Sequence, residues 1–334
     1  MVTSLPTGDG QDGPSRRPSF PEIEITGIRL EQRSNAPLGR PLDQPDSDFT
    51  DSSDDQPVLL VKEKQGERFV PIWVRAAEAT AIAYAQQSQA FARPRTHDLM
   101  RDILQALEIR LLKVTFTALR DGVLGAQLLL SDGSTVASRP SDAAALALQM
   151  RAPMYMAQEI LTDHGVEIPG EPASEPATSE LAAEPANDGP RPITELGPSA
   201  TTVELEVVGI RIEMPDNEPL ILMKEKRGQR HLPIRIGPVE ATAIAFYQQR
   251  MTFARPQTHD LMRDILKAIN VRLVSATLAA LRDGIYYTDL RFSDGSIVSS
   301  RPSDAVALVV RTGAQLLVTT GILDEAGVTT IPSP

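Results

Sequence analysis

The chain has 334 residues, of which 41% are hydrophobic, 23% are charged and 4% are aromatic. This length exceeds what one hydrophobic core usually organises, so we expect two domains. The absence of cysteine excludes disulfides, thiol catalysis and cysteine metal sites. No stretch approaches the roughly 18 uninterrupted apolar residues of a membrane span, and the polar residues 1–21 are unlike a secretory signal. By default we expect a cytoplasmic protein with no membrane partner.

The net charge of −11 lies outside two neutral blocks. Residues 1–57 carry 5 basic and 11 acidic side chains, and residues 169–201 carry 1 and 6. Residues 58–168 balance at 12 against 12, and residues 202–334 balance at 15 against 15. The extended basic surface of many nucleic-acid-binding proteins is therefore absent. Contact with nucleic acid would need a local basic site.

The sequence contains two copies of one unit. With an offset of 162, residues 58–168 align without a gap to residues 220–330, and 57 of these 111 positions are identical. Upstream, Thr26–Leu30 corresponds to Val208–Ile212 at an offset of 182, so the first copy carries 20 extra residues. Two such units are expected to pack together as a pseudo-dimer within one chain.

We place the domains at residues 21–168 and 202–334. Residues 1–20 are predicted to be a disordered tail. The extra residues fall in a mobile insert at about 31–57, which is rich in Asp, Ser and Pro. Residues 169–201 are rich in Pro, Ala and Glu, which predicts a disordered linker.

Each copy opens with alternating apolar and polar residues, which predict a strand. In the first copy a hairpin follows, and then an Ala-rich helix. After Arg93-Pro94, Thr96 is a plausible N-cap for an amphipathic helix. These elements are Ile23–Ile25, the hairpin Val58–Lys62 with Phe69–Val74, and the helices Glu78–Gln87 and His97–Leu107.

The second half of the copy begins with another hairpin and a short strand after a tight turn. A helix opening on Pro140, a short strand and a last helix complete it. The hairpin joins Arg110–Leu119 to Gly122–Leu130, the turn is Ser131–Ser134, and the helices run from Pro140 to about Met150 and near Ala157–Asp163. Because strands and helices alternate irregularly, we predict an α+β fold, with a mixed sheet packed against several helices in each copy.

Four polar clusters recur in both copies, and each also has a structural explanation. Glu78 and Glu240 fit the dipole of a helix start, and Asp-Gly in the third cluster fits a hairpin turn. Pro and Asp in the fourth cluster fit a helix start, whereas the preceding arginine would form an anion pocket beside free N–H groups. The second, third and fourth clusters are Arg93–Asp102 with Arg255–Asp264, Leu119–Gly122 with Leu281–Gly284, and Ser138–Ala143 with Ser300–Ala305.

In this order, the strings Pro-Ile-x₅-Glu-Ala, Arg-Pro-x-Thr-His-Asp-Leu, Leu-Arg-Asp-Gly and Arg-Pro-Ser-Asp-Ala-x-Ala-Leu resemble the bifunctional nuclease domain family. The resemblance covers nearly all of both copies, and it implies cleavage of RNA and DNA. The family commonly has an acidic residue just before its Ser/Ala-Arg-Pro-Ser-Asp string. Here that position is Ala137 in the first copy and Ser299 in the second.

On the nuclease interpretation, His97 or His259 acts as general acid or base, because its pKa lies nearest neutrality. Carboxylates would orient the histidine or hold a divalent metal, Mg²⁺ or Mn²⁺, and no organic cofactor is expected. These candidates are Glu78, Asp98, Asp142, Glu240, Asp260 and Asp304. Arginines would grip phosphate through bidentate hydrogen bonds. These are Arg93, Arg139, Arg255 and Arg301.

The alternative is a non-catalytic module that keeps the fold and binds nucleic acid, another anion or a protein. The neutral copies, the few aromatic residues and the missing acidic residue favour this interpretation. If either copy is catalytic, we expect the second copy to be the better catalyst. It has Gly237, which lets a substrate approach closely, where the first copy has Arg75.

Overall fold

The computed structural model of the chain describes residues 19–32, 55–87, 94–118, 123–167, 201–214, 216–253 and 255–329. Most of the predicted tail and insert and nearly all of the predicted linker lie outside these residues. So do Arg93 and the string Leu119–Gly122. No helix in the described ranges is long and apolar enough to cross a membrane.

Within its described residues, the first copy forms seven strands and four helices. The strands are β1 (Glu22–Gln32), β2 (Asp55–Glu63), β3 (Phe69–Trp73), β4 (Leu111–Ala118), β5 (Leu124–Leu130), β6 (Thr135–Ser138) and β7 (Met154–Met156). The helices are α1 (Ala76–Gln86), α2 (Thr96–Ala106), α3 (Pro140–Met150) and α4 (Gln158–His164).

The described part of the second copy repeats this order. Its strands are β8 (Thr202–Glu213), β9 (Glu218–Glu225), β10 (His231–Arg235), β11 (Leu273–Arg282), β12 (Ile285–Phe292), β13 (Ile297–Ser300) and β14 (Gln315–Thr319). Its helices are α5 (Pro238–Gln248), α6 (Thr258–Ala268), α7 (Pro302–Thr312) and α8 (Thr320–Ala326).

Each copy builds one seven-stranded mixed sheet. The strand orders are β3-β2-β1-β7-β4-β5-β6 and β10-β9-β8-β14-β11-β12-β13. Strand β7 pairs parallel to β4 and antiparallel to β1, and β14 pairs in the same way with β11 and β8. The predicted α+β class with mixed sheets, hairpins and packed helices is confirmed.

Small side chains explain how one of the two most buried helices reaches its place. In α3, Ala143, Ala144 and Ala145 are completely buried, and α3 packs against both α1 and α2. Alanine lets helix backbones approach closely and favours the helical conformation. The N-terminus of α3, with Arg139 and Asp142, is thereby held against both neighbouring helices.

The turn chemistry expected from Asp-Gly is visible in the second copy. Asp283 has φ 51° and Gly284 has φ 75°, between β11 and β12. Positive φ at both central residues is the signature of the two-residue turn that suits a twisted hairpin.

Several predicted boundaries need correction. Strands β1 and β2 pair as far as Gln32 with Asp55, so both strands continue into the region assigned to the insert. At the predicted tail, Ser19 accepts a backbone hydrogen bond from Gln158 (3.0 Å). The prediction of Thr96 as the N-cap of α2 is wrong, because Arg95 occupies that position. The Asp98 carboxylate accepts the hydrogen bond of the Arg95 amide (3.0 Å), which leaves the Thr96 hydroxyl available for a distant partner.

The two copies contact each other through equivalent elements. Helix α2 lies against β13, and α6 lies against β6. At one end of these contacts, Ser134 Oγ donates to the carbonyl of Ala268 (3.2 Å), and Ser296 Oγ donates to that of Ala106 (3.3 Å).

Candidate functional site

A buried polar network forms around Asp142 at the start of α3. The Asp142 side chain is completely buried. Its Oδ1 lies 2.9 Å from His97 Nε2, and its Oδ2 accepts from Arg139 Nε at 2.8 Å. Arg139 Nη1 reaches Glu78 Oε1 at 3.0 Å. Three clusters that are far apart in the sequence therefore meet at one point.

The second copy supplies the remaining contacts of this network. Thr258 Oγ1 donates to Asp142 Oδ1 at 3.0 Å and accepts from Arg139 Nη2 at 2.9 Å. Gln257 Oε1 accepts from Arg139 Nη1 at 3.2 Å. We call Glu78, His97, Arg139 and Asp142, together with Gln257 and Thr258, the first network.

The second network repeats this arrangement with the copies exchanged. Asp304 Oδ1 lies 2.9 Å from His259 Nε2, and its Oδ2 accepts from Arg301 Nε at 2.8 Å. Arg301 Nη1 lies 2.9 Å from Glu240 Oε1. Thr96 of the first copy donates to Asp304 Oδ1 at 2.9 Å and accepts from Arg301 Nη2 at 3.0 Å. The second network consists of Glu240, His259, Arg301 and Asp304, together with Thr96.

The electrostatics of both networks keep the central aspartates ionised. Burial disfavours a charged Asp304, but hydrogen bonding to His259 and the charge of Arg301 outweigh it and lower the Asp304 pKa to about 2. At Asp142 burial is likewise outweighed by Arg139 and His97, so its pKa is well below the usual range. Because an ionised carboxylate only accepts hydrogen bonds, the Nε2 atoms of His97 and His259 carry the hydrogen in these contacts.

The two histidines are thus held in a fixed orientation inside the protein. His97 is 6% exposed and His259 is 4% exposed. With Nε2 committed to the aspartate, Nδ1 is the ring nitrogen that a proton transfer would have to use. The structure brings the histidines to the predicted carboxylates, but it does not expose them to solvent.

The predicted residues Asp98 and Asp260 lie beside the networks and not within them. Each accepts the backbone hydrogen bond that starts its helix, from Arg95 (3.0 Å) or Gln257 (3.1 Å). The second oxygen contacts different residues in the two copies: Gln149 Nε2 reaches Asp98 (3.0 Å), whereas Arg311 Nε reaches Asp260 (2.8 Å). Helix capping is therefore a sufficient explanation for both carboxylates.

The predicted phosphate-binding arginines have protein partners. The donors of Arg139 and Arg301 are directed at carboxylate, hydroxyl and, for Arg139, amide oxygens of the networks. Arg255 is buried, and its Nη1 donates to the carbonyl of Leu124 in the other copy at 3.0 Å. Arg93 lies outside the described residues.

A cavity of about 790 Å³ opens next to the first network and is lined by both copies. Its walls carry five arginines against two carboxylates, and they also carry three aromatic side chains. The arginines are Arg75, Arg139, Arg255, Arg263 and Arg311, the carboxylates are Glu78 and Asp260, and the aromatic residues are Phe246, Tyr247 and Phe253. Such a volume is typical of ligand sites.

The five arginines of the cavity differ in what they contact. In the described part of the chain, the Arg75 guanidinium has no hydrogen-bond or ion-pair partner. Arg263 pairs with Asp264 at 2.8 Å. The Arg311 guanidinium lies over the Tyr247 ring, 4.8 Å from its centre. Among the described residues, Arg75 is thus the arginine of the cavity with no competing protein partner.

Comparison with known proteins places this arrangement in a family. The family model for the bifunctional nuclease domain matches residues 58–169 and again residues 221–330. The chain belongs to the bifunctional nuclease domain family. Its relatives include two Mycobacterium tuberculosis proteins, "Uncharacterized protein MT1877" of strain CDC 1551 / Oshkosh and "Uncharacterized protein Rv1829" of strain H37Rv. Each is 45% identical over 124 residues, which cover 37% of this chain and 76% of the relative.

The usually acidic family position lies on the strand just before each network. Ala137 belongs to β6 and pairs with Gln127, whereas Ser299 belongs to β13 and pairs with Asp289. Asp289 is buried. The second copy therefore has a buried carboxylate on the neighbouring strand, opposite Ser299.

The carboxylates of this bifunctional nuclease domain protein do not fit the expected metal site. Among the described residues, no group of three or more histidine, aspartate or glutamate side chains is arranged to hold a metal ion. Asp142 and Asp304 each accept hydrogen bonds from a histidine, an arginine and a threonine. Glu78 Oε2 is the exception, because it is buried without a hydrogen-bond partner in the described structure.

Sequence reasoning missed four residues that shape the site. The sequence context indicates a helix cap at Thr96, assigns no role to Thr258, and marks Arg75 only as the residue that stands in place of Gly237. Arg311 belongs to no recurring cluster. The useful signal was the difference between the copies, because Arg311 aligns with Gln149 and Arg75 aligns with Gly237.

We expect Asp304→Asn to make the free energy of unfolding depend less on pH in the acid range. The Asp304 pKa lies below its ordinary value of 3.8, so the ionised form stabilises the fold above about pH 4, and this contribution is lost as the pH falls towards 2. Urea unfolding followed by circular dichroism gives the free energy of unfolding at each pH. As the pH falls from about 4 towards 2, this free energy should decrease by about 2 kcal/mol more in the wild type than in the variant. Asp163→Asn, at an exposed position, should follow the wild type. Parallel profiles for wild type and Asp304→Asn would contradict this assignment.

Proposed function

We propose that the chain binds single-stranded RNA or DNA in the cavity between its two copies. The observation that carries this proposal is the lining itself, in which five arginines and three aromatic side chains face one space. The family description supports a role of this kind. The protein has the local basic site that its neutral copies would require.

The charges of the cavity suit a phosphodiester backbone. Arginine binds phosphate oxygens through paired hydrogen bonds, and a guanidinium without a protein partner does so at the lowest cost. Arg75 meets this condition among the described residues and lies half-buried at the N-terminus of α1. The other arginines add positive potential, which attracts a polyanion even where their donors are occupied.

The aromatic side chains suit unpaired bases. Phe246 and Phe253 lie with ring centres 5.4 Å apart, and Tyr247 is half-buried beside them. Stacking of a base on such rings contributes about 1–3 kcal/mol and tolerates any sequence. Bases within a duplex are already stacked on one another, so these contacts favour a single strand.

This proposal predicts salt-sensitive binding of a single strand. A fluorescein-labelled octauridylate or octathymidylate should raise its anisotropy when the protein is added, with an affinity that falls as salt rises. The same sequence in duplex form should bind at least several-fold more weakly. Arg75→Gln should weaken binding about tenfold, since a charge-assisted contact is worth roughly 1.5–3 kcal/mol. The control is Arg110→Gln, which removes the same charge at an exposed position that is not among the cavity residues.

Equal effects of Arg75→Gln and Arg110→Gln would show only a general charge effect and would remove the cavity from the proposal. Equal affinity for duplex and single strand would contradict the assignment to unpaired bases.

Hydrolysis of phosphodiester bonds in RNA and DNA is the second candidate function. It is favoured by the family description and by the two His–Asp pairs, in which an ionised aspartate fixes the orientation of a histidine. In this proposal His97 or His259 is the general acid or base. Glu78 lines the cavity and its Oε2 has no hydrogen-bond partner in the described structure, so in this proposal Glu78 is the carboxylate that accepts a proton from water.

Cleavage of labelled single-stranded RNA and DNA tests this second candidate, with Mg²⁺, with Mn²⁺ and with EDTA. The double variant His97→Ala/His259→Ala, purified identically, should lose at least about a hundredfold in rate, the low end of what general acid–base catalysis provides. It also controls for contaminating nucleases. Undiminished cleavage by a folded double variant would exclude the histidines, and absence of cleavage by the wild type would leave binding as the function.

We also propose that the two copies stay paired in solution as a pseudo-dimer. Each network receives a threonine from the other copy, and the contacts on the two sides are equivalent. Without the partner copy, a buried aspartate oxygen would lose one of its hydrogen bonds and an arginine would lose an acceptor. Leaving such groups unsatisfied costs about 1–3 kcal/mol each.

Two measurements test this pairing. Small-angle scattering should show one compact particle, and two independent bodies on a tether would contradict the proposal. Thr96→Val and Thr258→Val keep the side-chain shape but remove the hydroxyl, so each should lower the free energy of unfolding by about 1–3 kcal/mol. Thr162→Val, at an exposed position on α4, is the matched control and should change stability by less.

A further inference from the structure

The repeat implies two pseudo-equivalent clefts, because each network lies where the α1 or α5 start of one copy meets the central helix of the other. The offset of 162 converts every residue of the described cavity into its counterpart in the second cleft. This correspondence allows the two linings to be compared position by position.

The charges of the two linings differ. The described cavity has five arginines and two carboxylates. The corresponding positions of the sequence carry four arginines and three carboxylates, so arginines outnumber carboxylates by three in the described cavity and by one at the corresponding positions. These corresponding residues are Arg93, Arg95, Arg101 and Arg301, and Asp98, Glu218 and Glu240.

Three of the differences fall at positions that suit a ligand. Arg75, which has no partner in the described structure, corresponds to Gly237, and the stacked pair Arg311 and Tyr247 corresponds to Gln149 and Ala85. Both members of the stacked pair differ together, and they face the same cavity as Arg75 although they belong to the other copy.

Arg311 acts on the cavity by positioning its neighbours. Its Nε donates to Asp260 (2.8 Å) and its Nη2 to the carbonyl of Ala243 (3.0 Å), and its guanidinium covers one face of the Tyr247 ring. The Arg311 side chain is only 2% exposed. It therefore fixes the orientation of the Tyr247 ring and partly neutralises Asp260, which would otherwise repel phosphate.

We propose that the two clefts have diverged and that each chain binds one nucleic-acid strand, in the cleft that contains Arg75, Tyr247 and Arg311. This inference rests on the proposed binding function and specifies which of the two clefts performs it. The strand contacts Arg75 from the first copy and aromatic residues from the second, so both copies are needed for one site. Fusion of the copies in one chain permits this asymmetry, because each position can change independently.

A matched pair of variants tests the asymmetry. Arg263 in the described cavity and Arg101 in the second cleft occupy the same place in identical helix strings, and each pairs with the following aspartate, at 2.8 Å and 2.7 Å. Arg263→Gln should weaken binding of labelled octauridylate at least fivefold, whereas Arg101→Gln should change it less than twofold. Native mass spectrometry should find one oligonucleotide per chain.

Arg311→Gln and Tyr247→Ala, which install the residues of the other copy, should also weaken binding at least fivefold. Equal weakening by Arg263→Gln and Arg101→Gln, with two oligonucleotides per chain, would overturn the asymmetry while leaving the binding function intact. Binding unaffected by every one of these variants would place the ligand elsewhere. Absence of binding by the wild-type protein would remove the proposed function itself, and the inference with it.

Discussion

A buried carboxylate at the start of a helix is the constraint on which the rest of this structure depends. Asp142 and Asp304 are completely buried and ionised, and an uncompensated charge in such a place would cost several kcal/mol. Each is compensated by an arginine of its own helix start, by a histidine from a neighbouring helix and by a threonine from the other copy. The two domains are thereby joined through their most polar interior groups.

This constraint also limits what the recurring residues can do. Most N–H donors of Arg139 and Arg301 bond to acceptors within the networks, so these arginines are poorly placed to bind a phosphate as well. The histidines are oriented as a catalytic base would be, yet they lie below the surface. The strings that identify the family are therefore first of all the parts of a structural network, and the proposed ligand binding is assigned to residues around it.

The cavity beside the first network is lined by residues that lie outside the network. Its walls combine Arg75, which has no partner in the described structure, with aromatic residues and a stacked arginine from the other copy. Arg75, Phe246, Tyr247 and Arg311 all differ between the copies, whereas Phe253 aligns with an identical residue, Phe91. In a dimer of identical chains a change at one cleft would appear at both. Duplication within one chain removes that restriction and explains how one cleft can become more basic than the other.

The sequence by itself determined the repeat, the α+β class, most of the elements and the family. The helix starting at Pro140 and the Asp283-Gly284 turn follow from local chemistry. Proline fixes φ near its helical value, and glycine permits positive φ, wherever they occur. Only the tertiary structure decided where the polar strings meet, because their hydrogen bonds join residues 45 to 208 positions apart. Thr96 illustrates the difference. Its sequence context is that of a helix cap. The amide at the start of the helix is that of Arg95, however, and it donates to Asp98, whereas the Thr96 hydroxyl donates to the Asp304 carboxylate, which only the packing of the two copies brings within reach.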